Sequence, residues 1–309
     1  MTRTRRLVAM LAAILAALAI AACGSSSKSS STGSSSAATP AAGGGTTTAQ
    51  KDATIAAEVP AAIKSKGTLT VAADASYAPN EFIKPGSKTV IGMDPDLAAA
   101  LASVMGLKAN VQNATFDSII PGLAANKYDL GMSSFTDTKE RQKTVDFVTY
   151  FSAGTSFYTK AQGGPAINTL ADLCGHKVAA EKGTTQATDA QAQSKKCTSG
   201  GKPAVTVLVY PDQNGANLAL SSGRADVGMA DSPVAAYLTK QSSGQFKVVG
   251  QTYGQAPYGI AMPKKSGLQK PVQDALKKLI AGGQYKAILT KWGVQAGAIT
   301  KPVINGATS

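Results

Sequence analysis

A single histidine, His176, and only three cysteines stand among 309 residues, so a His-dependent nucleophilic triad or a zinc cluster has little to be built from. The chain holds no phosphate-binding glycine-rich loop, no paired CxxC motif and no basic recognition helix with interleaved aromatics. Those absences remove the usual sequence signals of nucleotide, zinc-ribbon and nucleic-acid binding, and neither a metal nor a cofactor is expected. Residues 24–50 contain no aromatic side chain and almost no aliphatic one, and such a segment cannot bury enough surface to offset its chain entropy. The longest apolar run, Leu7 to Ala22, falls short of the roughly 20 residues that a membrane-spanning helix takes.

That run follows Arg3, Arg5 and Arg6 and closes on Ile20-Ala21-Ala22-Cys23. A basic start, a short apolar stretch and small residues before a cut make an export signal, and the cysteine at the cut makes it look like a bacterial lipoprotein signal. The expectation is that residues 1–22 are removed and Cys23 carries lipid; a plain secretory signal or an uncleaved anchor are the alternatives. Residues 23–59 then read as a lipidated cysteine and a disordered Ser/Gly/Ala/Thr tether, with a span of roughly 30 Å for about 30 residues. The protein is accordingly expected outside the cytoplasm, lipid-anchored to the cell membrane. Export would place Cys174 and Cys197 where disulfides persist, and a bridge between them would contribute about 3 kcal/mol; two free thiols or a metal pair remain open. Of the net charge of +13, three units belong to the signal arginines, and the lysines are scattered apart from short pairs such as Lys195-Lys196 and Lys277-Lys278. That pattern reads as a solvated face with no nucleic-acid partner.

Two segments share one pattern: Lys127-Tyr128-Asp129-Leu130-Gly131-Met132-Ser133-Ser134 and Arg224-Ala225-Asp226-Val227-Gly228-Met229-Ala230-Asp231. Each follows a helix-like stretch, Asp117 to Ala125 and Gln213 to Ser222, and reads as a short strand ending in polar residues. The echo implies two α/β lobes of like design, each offering a strand end to one place. Further strands are expected over Thr68 to Ala72, Lys177 to Ala180, Thr206 to Tyr210, Phe246 to Val249 and Tyr258 to Met262. Asp94-Pro95 is expected to cap a helix carrying Leu97, Leu101 and Val104 on one side. Other helices are expected over Thr185 to Lys195, Pro233 to Lys240, Val272 to Ile280 and Gln284 to Trp292, with Leu276, Leu279, Ile280, Ile288 and Leu289 in the core.

In open α/β sheets ligands sit beyond the carboxyl ends of strands, so the residues after each strand carry the chemistry. After the first strand comes Ala73-Asp74-Ala75-Ser76-Tyr77-Ala78-Pro79-Asn80-Glu81. After the first echo come Ser133, Ser134, Thr136 and Asp137, where Asp137 and Glu140 are spaced as a capping box that puts Arg141 in the first turn. A cation at a positive helix end is unfavourable unless the two share an anion, which points to a carboxylate site, against an exposed arginine at a helix start. The second lobe supplies Lys182-Gly183-Thr184-Thr185-Gln186, with Thr184 or Thr185 as a helix cap, and Asp231 after the second echo. A guanidinium and a carboxylate are what the two ends of an α-amino acid need, and each charge-assisted bond contributes about 1.5 to 3 kcal/mol. Asp231 as a plain cap of the next helix is the alternative.

From about Gly67 to Trp292 these motifs, in this order, resemble the extracellular solute-binding proteins of polar amino-acid ABC importers, the group that includes histidine- and glutamine-binding proteins. The resemblance implies a periplasmic-binding-protein-like fold of two α/β lobes joined by two hinge strands near Phe151 to Thr155 and Gly254 to Tyr258. Lobe 1 would be residues 60–153 and 256–309, and lobe 2 residues 154–255. It implies that Arg141, Ser134 and Thr136 hold an α-carboxylate with Thr185 adding a donor, and that Asp231 takes the α-ammonium. Tyr77 and Phe116 would flank the ligand, Asp74 and Glu181 would face its side chain, and Ser133 and Thr184 would complete the lining. It further implies a non-catalytic monomer that passes an amino acid to a membrane permease. Asn80 stands where this family commonly has an aromatic, so one wall of the pocket is expected to differ. Glu181 stands where relatives often carry an apolar or basic residue, and with Asp74 it makes the side-chain end acidic and favourable to a cation. The same resemblance covers a periplasmic dehydratase acting on cyclohexadienyl amino acids, in which case Glu181 would serve as a general acid.

Overall fold

A computed structural model describes residues 49–308; the export signal expected over residues 1–22, the lipidation expected at Cys23 and residues 23–48 of the expected tether lie outside the described residues. The elements in chain order are α1 (Ala53–Glu58), α2 (Ala61–Lys66), β1 (Thr68–Ala73), β2 (Ser76–Tyr77), β3 (Glu81–Ile83), β4 (Val90–Ile91), α3 (Met93–Val104), β5 (Lys108–Asn113), α4 (Phe116–Ala124), β6 (Leu130–Gly131) and β7 (Val145–Lys160). They continue as β8 (Lys177–Glu181), α5 (Thr185–Ser199), β9 (Thr206–Tyr210), α6 (Gln213–Ser221), β10 (Val227–Asp231), α7 (Ser232–Gln241), β11 (Phe246–Pro263), α8 (Gln269–Ala281) and α9 (Gln284–Trp292). Among the described residues no helix is long and apolar enough to cross a membrane.

Eight strands lie in the order β5-β1-β6-β11-β7-β10-β8-β9, and β2, β3 and β4 form a separate small sheet. The order reads as one plan from either end toward the middle. In lobe 1, β1 lies parallel to β5 and β6, and β6 runs antiparallel to β11. In lobe 2, β8 lies parallel to β9 and β10, and β10 runs antiparallel to β7. The two echoed segments therefore occupy matching places, each between the outer parallel strands and the two long strands that run through both lobes.

The echo residues themselves explain this. Asp129 accepts a hydrogen bond from the Thr70 N–H at 2.6 Å, and Asp226 accepts one from the Lys177 N–H at 2.8 Å. Each aspartate thus pins the start of the neighbouring parallel strand through a backbone donor that would otherwise lack a partner. The echoed glycines answer crowding: a Cβ on Gly228 would lie 2.2 Å from the Tyr158 ring, and one on Gly131 would lie 2.9 Å from Ile119.

Lobe 1 buries Leu69, Val71, Leu97, Leu101 and Val104 with Leu276, Leu279, Ile288 and Leu289, while Ile280 stays partly buried at the margin. Lobe 2 builds a smaller core on Phe157, Ile167, Leu173, Val178, Val227 and Met229, next to a disulfide joining Cys174 and Cys197. A metal pair or two free thiols at those positions are thereby excluded.

Several expectations change. The tether expected to run to residue 59 ends earlier, because Ala49, Ile55 and Val59 are buried. Asp52 caps α1 and pairs with Lys278, and Glu58 pairs with Lys270, so α1 is held on α8 by ion pairs that composition does not weigh. The expected strands at Phe246–Val249 and Tyr258–Met262 are one strand, β11, paired with β7 along its length and irregular in register between Val249 and Gly259. Asp94 does not cap α3, whose cap position is Gly92; it lies inside the first turn with its side chain buried. The capping box expected at Asp137 and Glu140 does not form. Arg141–Lys143 is a single 3-10 turn, Thr138 accepts from the Arg141 N–H at 3.2 Å, and Asp137 is buried with its Oδ1 accepting from Gln142 at 2.7 Å.

Candidate ligand-binding site

A narrow, nearly closed cleft lies between the lobes, and all eleven side chains expected there line it: Asp74, Tyr77, Phe116, Ser133, Ser134, Thr136, Arg141, Glu181, Thr184, Thr185 and Asp231. Glu81 and Gln186 line it too. Both were within reach of the sequence reading, since each sits in a loop or helix start already singled out. What hid them was burial: Glu81 is 0% exposed and Gln186 3%, and polar residues at such places usually face solvent.

Each wall is set by a strand end. β1 ends at Ala73, so Asp74 turns into the cleft, where its Oδ2 accepts from the Phe116 N–H at 3.0 Å and its Oδ1 from the Ser76 N–H at 3.1 Å. β6 delivers Ser133 and Ser134, the latter at φ 55, a left-handed conformation that costs a non-glycine residue about 1–2 kcal/mol. Asp94 offsets that by accepting from the Ser134 N–H at 3.0 Å. β8 delivers Glu181, after which Thr184 caps α5 by accepting from the Ala187 N–H at 3.2 Å. β10 delivers Asp231, which stands at the cap position of α7 without making a side-chain cap bond. Its carboxylate accepts instead from Gln186 Nε2 at 2.7 Å.

The Arg141 guanidinium lies beside a stacked pair of aromatic rings, 5.3 Å from Phe116 and 5.4 Å from Phe135, whose centroids are 4.5 Å apart. It donates to the Thr136 carbonyl at 2.8 Å and, across the cleft, to the Gly183 carbonyl at 3.0 Å. Of the five donors that a guanidinium carries, those two bonds use two, so the fork retains capacity for an anion. Burial draws its pKa down to about 10, against the pull of Asp231 and Asp137. The lobes also meet where the Asp231 N–H donates to the Tyr77 hydroxyl at 2.8 Å, the Gln213 N–H donates to Ser76 Oγ at 3.1 Å and Lys182 pairs with Asp117 at 2.8 Å.

Opposite this one cation stand four carboxyls. Burial raises Asp231 to about 6, only partly offset by hydrogen bonds and Arg141. Glu181 is pushed well above the usual carboxylate range, first by burial and then by Asp74 and Asp212, and its Oε1 is buried without a hydrogen-bond partner. Asp74 is raised by burial, with the Asp212 charge adding to it. Glu81 is raised well above the usual range by burial and by Asp94. Among the described residues no group of three or more His, Cys, Asp or Glu has the geometry of a metal cage.

Two local expectations are revised. Asn80 is fully buried and donates from Nδ2 to Ser134 Oγ at 2.9 Å, so it supports the serine from behind instead of forming a pocket wall. The hydroxyls of Ser133 and Ser134 donate to Glu81 at 3.2 and 3.3 Å, and the Ser134 N–H is taken by Asp94. Neither serine therefore has a hydroxyl proton directed at a ligand carboxylate. His176 sits in the turn before β8, partly exposed.

Comparison with known proteins agrees with this architecture. The family model described as bacterial extracellular solute-binding proteins, family 3, matches residues 69–295. The arginine-binding protein ArgT of Corynebacterium glutamicum is 36% identical over 252 residues, covering 81% of this chain and 82% of that protein. A solved ancestral arginine-binding protein bound to arginine superposes with a TM-score of 0.66 at 36% identity, over 73% of this chain and 98% of its own. The ancestral amino acid-binding protein AncCDT-1, a precursor of cyclohexadienyl dehydratase, gives 0.65 at 34% identity, over 75% and 97%. With its two-lobed sheet, its interlobe cleft and a family match across most of its length, the chain belongs to the bacterial extracellular solute-binding proteins of family 3.

Proposed function

We propose that this chain is the substrate-binding component of an ABC importer, capturing a basic amino acid between its lobes and delivering it to a membrane permease. The observation that carries the reading is the charge arrangement of the cleft: one guanidinium, Arg141, faces the carboxyls of Asp231, Asp74 and Glu181. Arg141 would hold the α-carboxylate, helped by Thr136 and by the N–H groups at the start of α5 near Thr184 and Thr185. Asp231, held by Gln186, would take the α-ammonium. Tyr77 and Phe116 would flank the ligand, with Ser133 and Ser134 forming the floor. Asp74 and Glu181 would face the side chain, and a cation arriving there relieves two buried acids at once. ArgT and the arginine-bound ancestral protein support arginine as the first ligand to try.

Capture then works by closure. The lobes, residues 60–153 with 256–309 and residues 154–255, would rotate about Phe151–Thr155 and Gly254–Tyr258, where the pairing of β7 and β11 loses register and Gly254 adopts φ 63. Ligand contacts made only in the closed form supply the differential affinity that closure needs. In this reading the export signal is cut before Cys23, the thiol carries lipid, and the tether keeps a monomeric trap close to its permease outside the cytoplasm. Confinement of that kind raises effective concentration without new contacts.

Isothermal titration of the purified protein tests the assignment: arginine, lysine or ornithine binds in the micromolar range or tighter, and glutamate does not. Tight glutamate binding with no arginine binding overturns it. Glu181→Gln should weaken arginine by about 10- to 100-fold and narrow the preference over glutamine. An enzyme of the cyclohexadienyl dehydratase kind is the second reading, favoured by Glu181, whose pKa burial and the Asp74 charge raise, and by the likeness to AncCDT-1. Aromatic product formed from prephenate or arogenate would establish it.

A further inference from the structure

Glu81 and Asp94 are each 0% exposed, and among the described residues neither makes a salt bridge to a lysine, arginine or histidine. They come from different elements, β3 and the first turn of α3. The two elements are clamped by backbone bonds, Met93 N–H to the Pro79 carbonyl at 3.2 Å and Asp94 N–H to the Asn80 carbonyl at 2.9 Å. Gly92 makes the clamp possible, since a Cβ there would lie 2.2 Å from the Asn80 carbonyl oxygen.

The donors around the pair are distributed unevenly. Asp94 Oδ2 accepts from the Tyr150 hydroxyl at 2.8 Å and from the Ser134 N–H at 3.0 Å, whereas Asp94 Oδ1 is buried with no donor. The two carboxyls converge on one residue, Ser134, whose N–H donates to Asp94 at 3.0 Å and whose hydroxyl donates to Glu81 at 3.3 Å. Both ionised, they would be adjacent like charges with no counterion, an arrangement that burial makes untenable. One proton placed between them gives Asp94 Oδ1 its missing donor. Asp94 is the partner better suited to carry the charge: one of its two donors is a fixed backbone N–H, whereas both of Glu81's are serine hydroxyls, and it sits in the first turn of a helix.

We propose that Glu81 is a neutral acid donating its proton to Asp94, and that this acid pair is the positioning element that fixes Ser133 and Ser134 in the floor of the cleft. Glu81 accepts from both serine hydroxyls, Ser133 Oγ in turn accepts from the Asp74 N–H at 2.8 Å, and Ser134 is held in its left-handed conformation by Asp94. The pair thus ties three cleft residues from β1 and β6 to α3. Besides these partners, the groups facing it are Asn80 and the Asp74 carboxyl, whose charge further disfavours a second ionisation.

The positioning role rests on the reading that an amino acid binds in this cleft; the shared proton does not. Infrared difference spectra of wild type against Glu81→Gln at pH 7 should show the carbonyl stretch of a neutral carboxylic acid, lost in the variant. The amide introduced by Glu81→Gln would still donate to Asp94, so this variant should hold its affinity for arginine within about threefold in titration calorimetry, while Glu81→Ala, folded by its thermal transition, should lose about tenfold or more. Absence of the neutral-acid band at pH 7, or a loss in Glu81→Gln as large as in Glu81→Ala, overturns the proposal. If the wild type binds no amino acid, the functional reading fails while the infrared result still decides the shared proton.

Discussion

The two lobes are built to one plan and finished differently. In each, a parallel strand pair is followed by an echoed strand whose aspartate pins its neighbour's backbone and whose glycine admits a bulky side chain. Past the strand ends the likeness stops. Lobe 1 presents Arg141 beside a stacked aromatic pair and a buried acid pair behind two serines; lobe 2 presents Glu181, Asp231 and a helix start. Residues repeated between lobes therefore serve the sheet, and residues that differ at equivalent places serve the cleft. The comparison also separates the two meanings of an acidic residue here, since Asp129 and Asp226 hold backbone while Asp74 and Asp231 face the site.

If the lobes contribute opposite halves of one recognition, removing either charge should be equally damaging. Arg141→Ala and Asp231→Ala should each cost about 3–5 kcal/mol of ligand binding, because each leaves a buried partner uncompensated. Titration calorimetry would show no measurable heat while the ligand-free protein still unfolds cooperatively. Retained affinity in one variant would mean that a single lobe does the recognition.

The disulfide is a feature lobe 2 has and lobe 1 lacks. Cys174→Ser with Cys197→Ser should lower stability by about 3 kcal/mol in the chain-entropy account, read as a lower thermal midpoint, and leave ligand affinity within a few-fold because the bridge lies outside the cleft lining. A large affinity loss would tie the smaller core of lobe 2 directly to the site.

The echoed glycines sharpen the comparison further. Gly228→Ala drives a methyl into the Tyr158 ring and should destabilise by about 1–3 kcal/mol, with Gly131→Ala costing less because Ile119 can turn aside. Chemical denaturation of both variants checks the order, and equal costs would show that the two strands are equally confined.

The smallest effect expected is on pH. Asp74, Glu81, Asp94, Glu181 and Asp231 all sit above their ordinary values because they are buried. Each therefore binds protons more readily folded than unfolded, and stability falls as pH rises through the folded values, about 6 for Asp94 and Asp231. The carboxyls held below their ordinary values, Asp52, Asp117, Asp146 and Asp274, act in the opposite sense and only at lower pH. Ligand-free protein should melt higher at about pH 5.5 than at about pH 8, and saturating arginine should raise the midpoint more at the higher pH. An inverted order would mean that the cleft acids are ionised before the cation arrives.

Much of this was legible along the chain. Strand and helix periods placed β1, β8, β9, β10, α6 and α9 closely, because their apolar alternation or spacing is local. Most of the eleven cleft residues were legible for a related reason, since they follow strand ends and carry groups that an amino acid needs; Phe116 came from the family resemblance. β5 was not legible, because Lys108–Asn113 alternates weakly and is largely exposed. β7 escaped except at its hinge portion, since a strand that crosses both lobes is defined by partners far away in sequence. The early helix α1 escaped because ion pairs to α8 and one buried isoleucine outweigh a composition that reads as tether.

The sequence by itself determined the two-lobed plan, the opposed charges of Arg141 and Asp231 and the acidic bias at Glu181, all of which depend on residue type and short spacing. Only the tertiary structure decided where the serine protons go, that Asn80 lies behind the cleft, that Cys174 and Cys197 meet, and that Glu81 and Asp94 lie together without a counterion. Those outcomes depend on which groups are buried against which, and burial is a property of the assembled elements, where loss of water turns ordinary carboxyls into groups that must share a proton or await a cation.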